Sequence, residues 1–226
     1  MQAYLNPTRR DNGFGFILYS IWAGILILPG LIWLQNSRLI DDYFYGVELS
    51  QSLYVLSKLF ALYAIIILWL QLVSTLNQNT RFQWMFPLSV NRHHRLLGLS
   101  AFVLTTLHIF FFVTAVSLRK QTLTINLLWP DFQDYYHTGI SLGSISFWMM
   151  FIAVSAIGFA YYWLKQRVLL LVTLHRITII AVILGFVHSL MIGTETRQGF
   201  YLYYYSFLLA TMAISFLLRF KGKTAK

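Results

Sequence analysis

The chain has 226 residues, of which 58% are apolar and 11% charged, with a mean hydropathy of +0.64 and a formal net charge of +10. This composition excludes an ordinary soluble domain, because several apolar runs exceed the roughly 18 residues that mark a membrane-spanning helix. The chain contains no cysteine, which excludes Cys-ligated iron–sulfur clusters and thiol chemistry.

The hydrophobic pattern predicts six transmembrane helices, with ends defined to within a few residues. They lie near residues 16–34, 52–76, 94–116, 142–164, 174–193 and 200–219. Pro29-Gly30 is expected to kink or end the first helix. The predicted fold class is therefore an all-α membrane protein, a six-transmembrane-helix bundle that forms a single transmembrane domain over residues 1–226.

Basic residues concentrate on the side of the predicted membrane where the N-terminus lies. They are Arg9, Arg10, Arg81, Arg92, Arg95, Lys165, Arg167, Arg176, Arg219, Lys221, Lys223 and Lys226. The opposite side carries the acids Asp41, Asp42, Glu48, Asp131, Asp134 and Glu195, and Asp11 is the acid on the basic side. The positive-inside rule then predicts that both termini of this integral membrane protein are cytoplasmic. The expected location is a bacterial inner membrane. The positive charge thus reflects topology and attraction to anionic membrane lipid, and predicts no nucleic-acid partner.

Two of the apolar helices each contain two histidines. The first reads HRLLGLSAFVLTTLH from His94 to His108, and the second reads HRITIIAVILGFVH from His175 to His188. Ionisable side chains are unfavourable in hydrocarbon, so four of them at matched depths call for a partner that satisfies them. Neutral imidazole is a favoured axial ligand of haem iron, and a haem between two helices takes one histidine from each.

Matching the histidines by depth pairs His94 with His175 and His108 with His188, since the third and fifth helices both run outward. Fourteen residues at about 1.5 Å each separate the two tiers by about 21 Å, which one haem cannot bridge. We therefore predict two haem b groups, stacked between helices 3 and 5, with these four histidines as metal ligands.

The angular spacing between the two histidines of a helix differs between helix 3 and helix 5. Fourteen residues place His94 and His108 on one face, whereas thirteen leave His175 and His188 about 140° out of phase. An irregularity at Gly185, a loosely wound first turn at His175, or a relative rotation of the haems would each account for this. His93 is a rival to His94 with a poorer phase, and we expect it to be interfacial.

Four further residues are candidates for cofactor binding. Arg95 and Arg176 each follow an inner ligand and can pair with haem propionates or simply anchor the cytoplasmic face. Lys58, near the outer end of its helix, can serve the outer haem's propionate or snorkel to the surface, with snorkelling favoured. Gly98 allows either a macrocycle or a neighbouring helix to lie close to the backbone.

The longest connection, residues 117–141, faces outward and is rich in aromatic residues. These suit either an anchor at the level of the lipid headgroups or a short cap on the outer mouth. Asp131, Asp134 and His137 in this stretch raise the alternative of a cation site. A solvated loop is the favoured interpretation, because no spacing rule for metal ligands supports the site.

These residues resemble the ferric reductase-like transmembrane domain superfamily, which includes the membrane parts of NADPH oxidases and ferric reductases, the STEAP reductases and the YedZ/MsrQ haem subunits. The resemblance rests on H-R-L-L-G-L (94–99) followed by His108, and on L-H-R (174–176) followed by His188. A weaker similarity, T-G-I-S-L-G at 138–143, supplies no ligand. In size the chain is most similar to the YedZ/MsrQ subunits, whereas His94 makes it more similar to the oxidases.

The resemblance implies a haem-containing transmembrane oxidoreductase, or an electron-transfer subunit of one. Electrons would pass from a cytoplasmic flavoprotein or quinol, through two bis-His b haems, to ferric iron, dioxygen or a periplasmic reductase outside. No soluble flavin domain is expected after residue 219, so FMN or FAD would come from a partner. The alternatives are a cytochrome b561-like quinol oxidoreductase, whose ligands are spread over four helices, and a metal or proton transporter.

Overall fold

The structure, a computed structural model, describes residues 12–37, 46–78, 93–158, 168–197 and 199–224. Within these ranges it is all-helical, with six helices long and apolar enough to cross a membrane. They are α1 (Asn12–Ser37), α2 (Leu49–Asn77), α3 (His94–Lys120), α4 (Tyr135–Gly158), α5 (Val168–Ile192) and α6 (Gly199–Thr224), with a short 3₁₀ helix at Ile125–Leu128. The predicted class, an all-α integral membrane protein with six spans, is confirmed.

Several helix ends differ from those predicted. α4 begins at Tyr135 rather than near residue 142, and α3 continues to Lys120. The polar and aromatic residues at these ends resemble a loop in hydropathy, but Asp134 caps α4 and allows it to start early. The connection between α3 and α4 is therefore shorter than expected, and residues 159–164 of the predicted fourth span lie outside the described residues.

α1 continues through Pro29 and Gly30 to Ser37, so the helix does not end there, and the alternative of a kink stays a prediction. Proline is tolerated inside transmembrane helices, where local adjustments satisfy the freed carbonyl. Part of the charge pattern used to orient the chain lies outside the described residues. These residues are Arg9, Arg10, Asp11, Asp41, Asp42, Arg81, Arg92, Lys165, Arg167 and Lys226.

Two compact units divide the chain after residue 38. The first contains α1. The second contains α2 to α6, in which α2 packs along α3, α4 packs along α5, and α6 packs against α2.

Small residues form the contact between α4 and α5. Gly139 and Gly143, one turn apart on α4, both approach α5 closely. On α5, Ala181 is fully buried, and its carbonyl accepts a 2.7 Å hydrogen bond from the hydroxyl of Ser146. Small side chains let transmembrane helices approach closely, and hydrogen bonds between helices add to their association.

Polar side chains connect α2 to α6. The indole N–H of Trp69 donates to the carbonyl of Leu208 at 3.0 Å and to the hydroxyl of Thr211 at 3.0 Å. The amide of Asn77 donates to the hydroxyl of Ser215 at 2.7 Å. Hydrogen bonds of this kind hold helices together in lipid, where no hydrophobic effect acts between them.

The connection between α3 and α4, residues 121–134, folds back onto both helices as a short cap. The hydroxyl of Ser141 donates to the carbonyl of Asp131 and accepts from its N–H, both at 2.6 Å. The indole N–H of Trp148 donates to the carbonyl of Leu128 at 2.9 Å, and its ring stacks on Trp129 at 5.5 Å. We call residues 121–134 the cap, and the role of its aromatic residues as an anchor at the lipid headgroups stays a prediction.

Candidate functional site

The imidazoles of His94 and His175 lie against each other, with ring centroids 5.6 Å apart and planes at 76°. His94 opens α3, where the side-chain amide of Gln71 donates a 2.5 Å hydrogen bond to its carbonyl oxygen. His175 lies on an exposed part of α5. We call these two residues the inner pair, because the charge pattern predicts that this end faces the cytoplasm.

The imidazoles of His108 and His188 form a second pair, with ring centroids 6.5 Å apart and planes at 67°. The Nδ1 atom of His108 lies 2.9 Å from the carbonyl oxygen of Ser57, on α2. The Nδ1 atom of His188 lies 2.7 Å from the carbonyl oxygen of Gly139, on α4. We call this the outer pair. The structure thus pairs the four histidines as the depth argument predicts.

These hydrogen bonds fix the tautomer of both outer rings. A carbonyl oxygen only accepts, so Nδ1 must carry the proton in His108 and in His188. That leaves Nε2 of each ring unprotonated and able to bind a metal. A metal-bound histidine usually donates a hydrogen bond from its other ring nitrogen to an acceptor such as a carbonyl oxygen. This bond orients the ring and raises its basicity.

The ring spacing fits a metal ion between two imidazoles. Two metal–nitrogen bonds of about 2 Å each, plus about 1.1 Å from each nitrogen to the centre of its ring, place the centroids of two opposed imidazoles about 6 Å apart. The outer pair at 6.5 Å and the inner pair at 5.6 Å both lie near this value. Within the described residues, α3 packs mainly along α2, and α5 packs mainly along α4. Extensive direct contact between α3 and α5 is not found among these residues. This donor set therefore fits a bis-histidine haem.

Among the described residues, no group of three or more His, Asp or Glu side chains could hold a metal ion. A haem needs only two protein nitrogens, because the porphyrin supplies the other ligands of the iron.

Glycines of α4 make room for His188, and sequence reasoning assigned them no role. A Cβ at Gly143 would lie 2.6 Å from Nδ1 of His188, closer than real side chains approach. The carbonyl of Gly139, one turn earlier, accepts the hydrogen bond from the same nitrogen. The run T-G-I-S-L-G therefore supports a histidine without supplying a ligand. The Gly-x-x-x-Gly spacing of this run was the sequence feature that could have predicted the close contact.

The other candidates at the inner end lie around the pair rather than in it. Arg95, Arg176 and His93 are exposed, and His93 is the residue immediately before α3. A Cβ at Gly98 would point to α2 and meet the side chain of Gln71 at 3.6 Å. That position supports close helix packing for Gly98, the second of the two alternatives. The propionate role of the arginines stays a prediction.

Lys58 has a partner that the sequence did not suggest. Its ammonium group lies 2.8 Å from the carboxylate of Glu195 and 2.8 Å from the hydroxyl of Thr194, both in the connection between α5 and α6. It also lies 4.7 Å from the ring centre of Tyr54. The ion pair joins α2 to the α5–α6 connection at the outer end, next to Ser57. The alternative roles of propionate partner and snorkelling residue stay untested.

Asp134 and His137 act together at the start of α4. A carboxylate oxygen of Asp134 accepts from the backbone N–H of His137 at 2.7 Å, and the other lies 2.9 Å from its Nδ1. The hydrogen bond from this backbone N–H, followed by the one from the ring, lowers the pKa of Asp134 below its ordinary value. This arrangement is a helix cap, and it explains two of the three residues weighed as a cation site.

Comparisons of the chain with protein-family models, with curated proteins and with solved structures find no match. The likeness to the ferric reductase-like domain therefore rests on the residues quoted for it, and no family is assigned.

Proposed function

We propose that this protein carries electrons across the membrane through two bis-histidine b haems. His94 and His175 would hold the inner haem, and His108 and His188 the outer one. The support for this proposal is that two helices bring four imidazoles together in two pairs, at a spacing that suits a metal between the rings.

Haem b held by these histidines would supply reversible one-electron transfer. The residues of the outer pair perform a positioning task. The carbonyls of Ser57 and Gly139 hold the rings of His108 and His188 by Nδ1 and keep Nε2 available. Along α3 the two tiers lie about 21 Å apart, enough to cross much of the roughly 30 Å hydrocarbon core.

The proposed direction is from the cytoplasm outward, because the basic residues favour cytoplasmic termini. Moving one electron out of a negative compartment is favourable by about 2.3 kcal/mol per 100 mV. The donor in this proposal is a cytoplasmic flavoprotein carrying FMN or FAD, or a quinol. The acceptor is ferric iron, dioxygen or a periplasmic reductase. The protein would act as an oxidoreductase or as the electron-transfer subunit of one.

The two other functions lack a supporting observation. A cytochrome b561-like quinol oxidoreductase spreads its ligands over four helices, whereas both pairs here come from α3 and α5. A metal or proton transporter would use the same histidines without haem, and His108→Ala would then alter transport and leave the optical spectrum unchanged.

Proteoliposomes with ferricyanide trapped inside test the proposal directly. Dithionite added outside should reduce the trapped ferricyanide much faster in vesicles with wild-type protein than in empty vesicles. His108→Ala should abolish the difference, because it removes one ligand of the outer pair. His93→Ala, which alters a histidine outside both pairs, should retain it. Equal rates in wild-type and empty vesicles would refute transmembrane electron transfer.

A further inference from the structure

A cavity of about 370 Å³ lies between the cap and the first turns of α4. Ile140 and Ser141 contribute to its wall, directly after Gly139, whose carbonyl holds His188. The cavity is therefore next to the turn of α4 that supports the outer pair. Its volume lies at the small end of ligand sites, which suits a molecule of about ten non-hydrogen atoms.

The lining of this cavity carries charges of both signs. Lys120, at the end of α3, and Asp131, in the cap, both line it. Among the described residues neither belongs to an ion pair, whereas His137, in the same lining, is held by Asp134. A lysine and an aspartate that line one cavity without forming an ion pair complement a ligand that carries both opposite charges.

Ser141 of α4 holds the backbone of Asp131. Both backbone groups of Asp131 bond the hydroxyl of Ser141, which is buried. A site fixed before the ligand arrives loses less conformational entropy on binding. Thr122 and Asn126 add a hydroxyl and an amide to the lining, which suit a polar side chain on the ligand.

From these observations we infer that the cavity under the cap binds a small zwitterion of the α-amino-acid class. Lys120 takes the carboxylate of the ligand, and Asp131 takes its ammonium group. This ligand site is distinct from the proposed electron transfer and requires no haem.

Three probes that differ by one charged group test the inference by isothermal titration calorimetry on the full chain in detergent. L-Glutamine has both groups, 4-carbamoylbutanoate lacks the ammonium, and 4-aminobutanamide lacks the carboxylate. Each charge-assisted hydrogen bond is worth about tenfold in affinity, so L-glutamine should bind at least tenfold tighter than either fragment. No binding of L-glutamine up to about 10 mM, or equal binding of a fragment, overturns the inference.

Matched variants test which residue binds which charged group of the ligand. Lys120→Gln should weaken L-glutamine about tenfold and leave 4-aminobutanamide unchanged, and Asp131→Asn should weaken L-glutamine and leave 4-carbamoylbutanoate unchanged. Arg119→Gln removes the same charge from the exposed neighbouring residue, outside the lining, and should change nothing. An equal effect of Arg119→Gln and Lys120→Gln overturns the inference. Haem content is measured on the same samples, so loss of the proposed electron transfer is seen separately from loss of ligand binding.

Discussion

At the scale of single residues, the ring of His188 depends on two glycines of α4. Gly139 supplies the carbonyl that holds Nδ1, and Gly143 supplies the space in which the ring lies. A carbonyl acceptor is available from any residue, but only glycine leaves room for an imidazole this close to the backbone. The identity of Gly143 is thus set by a histidine on another helix.

Gly143→Ala should displace the imidazole of His188 and weaken retention of the outer haem by about 10- to 100-fold, the usual effect of disturbing the support of a metal ligand. Titration of haem into the purified apoprotein, followed by absorbance, measures this. Gly185→Ala is the matched control, because its Cβ would make an ordinary 3.5 Å contact with Ser146. Full retention of haem by Gly143→Ala would show that His188 is not held as described.

Lys58 and Glu195 form a partly exposed ion pair, with 23% and 41% of their side chains accessible. Because solvent screens such pairs, a double-mutant cycle of Lys58→Met and Glu195→Gln should give a coupling of on the order of 0.5 kcal/mol, reduced by salt. Thermal unfolding in detergent at two salt concentrations checks the value. A coupling of zero at low salt would contradict this prediction.

At the scale of helices and loops, Asp134 determines where α4 begins. Its carboxylate accepts from the backbone N–H of His137, three residues on, which is the usual bond of a helix cap. Residues such as Tyr135 and Tyr136 then enter the helix although their hydropathy resembles that of a loop. Hydropathy alone therefore placed this boundary too late.

The helix-capping hydrogen bond of Asp134 should make the stability of the protein depend on pH in the acid range. The folded-state pKa of Asp134 is lowered, and the unfolded value is about 3.9, so the carboxylate stabilises the fold above that value. This contribution is lost as the pH falls below about 4 toward the folded-state pKa. Unfolding midpoints of wild type and Asp134→Asn should therefore differ at pH 7 and converge at acid pH. A difference that grows on acidification contradicts this prediction.

Ser141 fastens the cap over residues 121–134. Ser141→Ala leaves the N–H and carbonyl of Asp131 without this partner, which should cost about 1–3 kcal/mol and speed amide exchange in the cap. Hydrogen–deuterium exchange by mass spectrometry measures the effect. Ser206→Ala, at an exposed position of α6, is the control. Unchanged exchange in the cap would mean that other contacts hold it.

The spacing along α5 shows what helical periodicity can and cannot predict. The helix runs from Val168 to Ile192, so His175 does not lie in a loosely wound first turn, and no break occurs at Gly185. Of the three explanations for the thirteen-residue offset, only a relative rotation of the haems stays a prediction. The ring of His188 lies against α4, where Gly139 and Gly143 receive it.

At the scale of the whole molecule, the number of spans and the partner of each histidine could be predicted from the sequence. Apolar length alone defines a span, and depth along parallel helices matches one histidine to another. The supports of the rings could not be predicted, because Ser57 and Gly139 contribute carbonyls, which every residue has. The Lys58–Glu195 pair was missed for another reason, since it joins residues far apart in the chain.

Haem content per chain tests the central claim most directly, measured as the pyridine haemochrome on wild type, His94→Ala, His108→Ala and His93→Ala. The account predicts two haems in the wild type and in His93→Ala. It predicts one haem in His94→Ala and in His108→Ala, with loss of a different step of the redox titration in each. A wild-type protein without haem, or equal losses in all three variants, would contradict the account.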